Sequence, residues 1–236
     1  MLPAQPNQSL MDGLDVLEAV LAANEPIGGR ELSRELSLNR TRTNRLLMTL
    51  AHLGLLARDD TGKYTPGTGI HVLAALGERG SGLLQAVLPH ARNWWERGYG
   101  VTVGVLWRKR LCHLLHVMPD KPFDTAIGGR GIVPPTRSSA GLALALSDPK
   151  LYQQLCESTD IPPELAIDGY RDILSLGKKR GYVVLPYRNG IQSIGVPIGS
   201  PTVAGMSVSR PGLTASDIAA VADELHQIAN ELPIKV

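Results

Sequence analysis

The chain has 236 residues (25.3 kDa), 43% hydrophobic and 19% charged. That is apolar enough to bury a core and long enough for one small and one medium domain, given typical domains of roughly 100 to 150 residues. A formal charge of +2 and a pI near 8.6 are too mild to imply nucleic acid by themselves, so a basic partner surface has to come from local clustering. No apolar run is long enough to span a bilayer, the opening MLPAQPNQS lacks the basic and apolar parts of a signal peptide, and two cysteines, Cys112 and Cys156, are too few for a disulfide framework. A cytoplasmic protein without membrane contact is expected.

Residues 1–8, polar and proline-containing, read as a disordered tail. Leu10, Leu14, Leu17, Val20 and Leu21 then recur at helical spacing, with Ser9 placed to cap and Asp12 three residues on, a capping-box-like start to a helix that ends before Pro26. The stretch GGRELSRELSL predicts a second, short helix with Leu32 and Leu36 inward. After the turn at Ser37 and Leu38, Asn39 is placed to cap a third helix. Leu46, Leu47, Leu50 and Leu53 form its buried stripe and Gly54 its stop.

The first two turns of that third helix hold Arg40, Thr41, Arg42, Thr43, Asn44 and Arg45, with no acid and no apolar residue among them. Three short helices, the last polar at its N-terminal end, make the helix-turn-helix arrangement, whose final helix enters the major groove of double-stranded DNA. Arginine reads guanine edges, asparagine reads adenine, and threonine contacts a base or the thymine methyl. The next stretch, LLARDDTGKYTPG, reads as a strand, a turn and a strand, a wing carrying Arg58 and Lys63 near its tip. From 28 to 63 there are seven Lys or Arg, Arg30 among them, against four Asp or Glu, so the basic excess is local to this face. Residues 9–67 are therefore expected to be a winged helix-turn-helix domain. Residues 68–80 read as a linker helix whose Val72, Leu73 and Leu76 offer a dimer surface.

Residues 81–236 read as a second domain. A helix through LLQAVLPHARNWWER, kinked or begun at Pro89, precedes strand-like runs at 101–107, 111–118, 193–199 and 202–209, with helices near 139–146, 149–157 and 169–180. A final helix starts at Thr214 with Asp217 completing a capping box, and turns Ile218, Val221, Leu225, Ile228 and Leu232 inward. An antiparallel sheet with segregated helices is an α+β domain. The cluster CHLLH suggests a metal site, but on a regular strand Cys112 and His116 face one way and His113 the other. Two ligands fall short of the three a zinc site needs, so neither a metal nor another cofactor is expected. No catalytic set stands out, and the reading is not an enzyme; the competing reading is a small-molecule-processing enzyme or sensor with a basic helical interaction module. A ligand pocket is expected instead. TRSSAGLAL runs from loop into helix, which places the backbone N–H groups near Ser139 and Ala140 to receive an anion.

Taken together, SLMDGLDVLEAV, RTRTNRLLMTLAHLGLL, YTPGTGIHVLAAL, IGGRGIVPPTRSSAGLALAL, KKRGYVV, IQSIGVPI and VAGMSVSRPG resemble, in order and spacing and over nearly the whole chain, the IclR family of bacterial transcription regulators. The resemblance implies a GAF- or PAS-like α+β effector-binding domain after the winged helix-turn-helix. It implies an operator as partner, a homodimer or tetramer, and repression or activation governed by a small effector. It also implies that two serines on a late strand, here Ser207 and Ser209, join the amides near Ser139 and Ala140 around a carboxylate. The chain departs from the family in three places: at Asp12, where a basic residue is usual; at Leu185, where an acid is often found; and at Gly195, where some members have cysteine. The last two changes predict a pocket that has lost polarity and gained room. An aromatic or sugar-derived acid is therefore expected rather than glyoxylate or pyruvate, with Arg137 or Arg188 as its carboxylate partner.

Overall fold

The computed structural model describes residues 5–128, 131–163, 165–232 and 234. Residues 1–4 of the expected tail, and the Gly129–Arg130 pair within the motif around 127–146, lie outside the described residues. The chain divides into two compact units, Met1–Gly80 and Ser81–Val236. No described helix is long and apolar enough to cross a membrane.

The first unit opens with α1 (Gln8–Ala22), α2 (Gly29–Glu35) and α3 (Arg40–His52), followed by β1 (Leu56–Arg58), β2 (Tyr64–Pro66) and α4 (Gly69–Ser81). Its core gathers Val16, Val20, Leu32, Leu47, Leu56 and Tyr64. Helix α1 begins two residues earlier than the expected Ser9 cap would start it, because the cap is Asn7, whose side chain accepts from the Leu10 amide. Its buried face is also turned: Asp12, Val16, Leu17 and Val20 point inward, while Leu10, Leu14 and Leu21 are exposed. In α3 the buried face is Thr43, Leu47 and Leu50 rather than a stripe running to Leu53, which is exposed. Gly54 sits at φ +72°, a conformation cheap only for glycine, and ends the helix as expected. Strands β1 and β2 pair from Leu56 opposite Pro66 to Arg58 opposite Tyr64. Tyr64 also bridges Ile27, tying the hairpin to the segment before α2.

The second unit contains α5 (Leu83–Glu96), β3 (Gly100–Trp107), β4 (Arg110–Val117), β5 (Ile132–Val133), α6 (Ser139–Ala145), α7 (Pro149–Cys156), α8 (Ile167–Arg180), β6 (Val183–Pro186), β7 (Ile191–Ile198), β8 (Ala204–Pro211) and α9 (Ala215–Glu231). Six strands form one antiparallel sheet in the order β5-β4-β3-β8-β7-β6. The short β5 and β6 extend it beyond the four strands legible in the sequence. Two cores serve this unit. One gathers Val87, Trp94, Val103, Ile194, Val208 and Leu225, so it joins α5 and α9 to the sheet. The other gathers Leu111, Leu142, Leu155, Tyr170, Leu174 and Leu185, so it joins α6, α7 and α8 to it. Pro89 lies inside α5 and does not start it. The capping box of α9 forms as expected, with Asp217 Oδ2 accepting from the Thr214 amide at 2.8 Å.

Candidate functional site

On α3, Arg40, Thr41, Asn44 and Arg45 are exposed, and Arg42 is half-buried. The helix begins sharply because Asn39 Oδ1 accepts from the amides of Thr41 (2.9 Å) and Arg42 (3.3 Å), so these side chains leave a fixed first turn. Thr43 does not belong to this surface. It is fully buried, and its hydroxyl donates to the Asn39 carbonyl at 3.1 Å, so it serves the core where a base contact was expected. Asn44 leans on α2: a Cβ added at Gly29 would collide with its Oδ1, so glycine there permits the close approach of the two helices. Arg30, Arg58 and Lys63 are exposed, and the Arg58 guanidinium lies 5.8 Å from the centre of the Tyr64 ring.

Asp12 accounts for the half-burial of Arg42. Its carboxylate, with 4% side-chain exposure, takes Arg42 Nε at 2.6 Å on one oxygen and Gln8 Nε2 at 2.6 Å on the other. The acid at Asp12 therefore reaches across from α1 and holds one arginine of α3. Ser9, Thr41, Arg42, Arg45 and Thr49 line the cleft beside this pair, which has no carboxylate in its lining.

In the second unit the sheet carries a polar face into a cavity of about 360 Å³. Cross-strand register builds it. Ser207 stands between Gly195 on β7 and Thr102 on β3, and Thr102 stands opposite His116 on β4. Ser209 pairs with Ser193 one step along. Ser139 at the start of α6 closes on this floor through a Ser139 Oγ–Ser193 Oγ hydrogen bond of 2.6 Å. The remaining walls are Met118, Val133, Pro134, Tyr187 and Ile191.

Ser139, Ser207, Ser209 and Arg137 thus line the cavity as the sequence suggests. The Arg137 guanidinium also binds Asp160 Oδ1 through Nε (3.1 Å) and Nη2 (2.7 Å), and its carbonyl accepts from the Tyr187 hydroxyl at 3.1 Å. Four other expected residues lie elsewhere. Leu185 shares a face with its register partner Ser193 but is sealed in the core beneath α8. Gly195 gives no extra room, since a Cβ there would strike the Ser139 carbonyl; the missing side chain lets α6 sit on the sheet. Ala140 is buried, with its carbonyl against Gly205, and does not line the cavity. Arg188 is exposed on a single 3-10 turn outside the cavity lining.

The sequence reading missed both histidines. They share the cavity because the β3–β4 register shifts at Val103/Gly104: Val103 pairs with Leu115 and Gly104 with His113. Leu114 is the extra residue, and one extra residue reverses the alternation of every side chain beyond it. His113 and His116 therefore face the same way, with rings stacked at 5.5 Å, and both line the cavity. Three or more metal-ligating side chains do not converge anywhere among the described residues.

The first unit is thus a winged helix-turn-helix, the fold of DNA-binding modules, and the second an α+β domain with a polar cavity on its sheet. Residues 9–60 match the model of the IclR helix-turn-helix domain. No curated protein is significantly similar to the chain in sequence. Solved structures agree over almost its whole length. A regulator of the IclR type from Silicibacter sp. superposes with a TM-score of 0.79 (20% identity, 94% of this chain and 93% of that one). An IclR family transcriptional regulator from Brucella abortus gives 0.74 (20%, 97% and 94%). An IclR homologue from Microbacterium hydrocarbonoxydans, in complex with 4-hydroxybenzoate, gives 0.72 (22%, 94% and 98%). Residues 9–60 thus carry the IclR helix-turn-helix domain, and the fold of the whole chain is that of these IclR-type structures.

Proposed function

We propose that this regulator binds a duplex operator through Arg40, Thr41, Asn44 and Arg45 of α3, with Arg42 held beside them and Arg30, Arg58 and Lys63 on flanking phosphates. Control comes from a small carboxylic acid in the sheet cavity. The observation that carries this reading is the cavity itself: converging hydroxyls of Thr102, Ser139, Ser193, Ser207 and Ser209, with no acidic side chain in its lining. Converging hydroxyls in a cleft with apolar walls suit a small anion, and Arg137, its guanidinium paired with Asp160, borders them. An aromatic or sugar-derived acid suits the apolar walls, and the relative from Microbacterium hydrocarbonoxydans holds such an acid, 4-hydroxybenzoate. Binding rather than turnover is assigned to this site. Val72, Leu73 and Leu76 are exposed on α4, a helix with no buried residue, and form the surface of a cytoplasmic homodimer or tetramer. Paired recognition helices then read half-sites roughly 34 Å apart or a multiple of it.

Gel-shift titration against the gene's own upstream DNA, with and without acids chosen by a thermal-shift screen, tests the whole reading. Salt-sensitive binding that an acid strengthens or weakens is expected. Absence of any duplex preference, with or without acids, sinks it.

A further inference from the structure

The three arginines at the tip of α3 are not equivalent. Arg40 and Arg45 meet no carboxylate among the described residues, whereas Arg42 is tied to the buried acid of α1. We propose that Asp12 is a specificity-determining residue of the DNA interface, a carboxylate that positions Arg42 to read one guanine in each half-site. This rests on the operator-binding reading above.

The Asp12 side chain is 4% exposed and that of Arg42 40%, so the acid sits behind the arginine and leaves part of it outside. One carboxylate oxygen lies 2.6 Å from Arg42 Nε, and the other accepts from Gln8 Nε2 at 2.6 Å. With both oxygens engaged beneath the surface, Asp12 is not placed to accept from a cytosine amino group, the contact that a free carboxylate makes in the major groove. A guanidinium engaged at Nε still has the N–H fork of Nη1 and Nη2, whose spacing matches O6 and N7 of guanine.

Two effects favour a base over a phosphate as the partner of that fork. The ion pair balances the charge of Arg42, so the arginine gains less from a phosphate than a free cation does, while its donors remain. Pairing also orders a long side chain before DNA arrives, so less rotamer freedom is lost when the base contact forms. The backbone beneath it is fixed as well, because Asn39 Oδ1 accepts from the Arg42 amide at 3.3 Å. Thr41, Arg42 and Arg45 line one cleft with Ser9 of α1, which places the ordered arginine on the face where the first turns of a final helix meet base edges.

Competition gel shifts with the full-length protein and the gene's own upstream duplex, each base pair of the bound site replaced in turn, test the assignment. In the unaltered protein, replacing one G·C pair per half-site is expected to weaken binding about tenfold through Arg42. Arg42→Lys, which keeps a cation beside Asp12 but lacks the fork, should bring the preference at that pair to within about twofold. Asp12→Ala and the nearly isosteric Asp12→Asn should bring it to within about threefold, leave the other positions unchanged, and add nothing in the Arg42→Lys background. Melting temperatures identify the variants that remain folded. A preference at the Arg42 base pair that survives both Asp12 replacements overturns the positioning role and leaves operator binding intact. A loss spread evenly over all positions does the same, marking the pair as a tie between α1 and α3. No base preference that depends on Arg42 overturns the guanine assignment, and no duplex preference at all in the unaltered protein overturns both readings together.

Discussion

The two candidate sites present polar side chains in opposite ways. On α3 the groups proposed to read DNA stand outward from a helix whose core lies behind it, so Arg40 and Arg45 are exposed and their replacement leaves the packing untouched. In the second unit the polar groups are themselves interior: Ser193, Ser207, Ser139 and His113 are all buried, and Ser139 and Ser193 hydrogen-bond each other. Function and stability are therefore separable in the first unit and entangled in the second.

The largest expected effect probes that entanglement. Gly205→Val would drive a side chain into the Ala140 carbonyl, where even a Cβ collides. The second unit is expected to lose roughly 3 kcal/mol, the upper end for overpacking, read as a lower melting temperature together with loss of acid binding. Unchanged melting would break the claim that α6 rests on this glycine. Arg45→Ala, by contrast, should leave the melting temperature in place and weaken operator binding by about 1 to 3 kcal/mol if Arg45 reads a base. A measurable loss of fold would show that the separation drawn here is wrong.

Asn39→Ala is expected to cost about 1 kcal/mol, because the amides of Thr41 and Arg42 lose their acceptor. Chemical denaturation measures it, and operator affinity should fall alongside as the tip frays. Asp12→Asn sharpens the comparison further. With the carboxylate gone, Arg42 is released to neutralise a phosphate, so the dependence of log K on log salt for a non-specific duplex should steepen by about one unit. An unchanged slope means that Arg42 meets phosphate even while paired.

The smallest effect lies at the wing. Asp59 is held below the usual carboxylate value of 3.8, first by the Thr61 hydroxyl and then by the Lys63 amide. A carboxyl depressed by folding contributes stability that is present above 3.8 and lost as pH falls through the lower folded value. Asp59→Asn should therefore flatten a shallow loss of stability below that pH, seen in melting temperatures taken between roughly pH 2 and pH 5.

Much of the first unit was legible because each of its signals is local. Asn39 caps α3, Gly54 stops it, and the acid-free run between them marks the outward tip. Phase was less legible. The apolar positions of α1 admit two faces, and only packing against α3 selects the one with Asp12 inside. Thr43 was read as outward for the same reason: a small polar residue is buried when its hydroxyl finds a backbone carbonyl within its own helix.

The cavity was legible in part. Ser207 and Ser209, two apart on one strand, had to share a face, and they do. Gly195 and Leu185 were misjudged because their roles depend on what lies above the sheet, a helix backbone in one case and an apolar core in the other.

By itself the chain specified its helices, the caps of α3 and α9, the wing and main strands, and the basic tip of α3, because those follow from propensity, periodicity and charge within a few residues. Tertiary structure alone decided that Asp12 would hold Arg42, that Arg137 would meet Asp160, and that a bulge at Leu114 would bring two histidines to the cavity. Those outcomes join residues distant in sequence or hang on a single shift of register, and a periodic pattern contains neither.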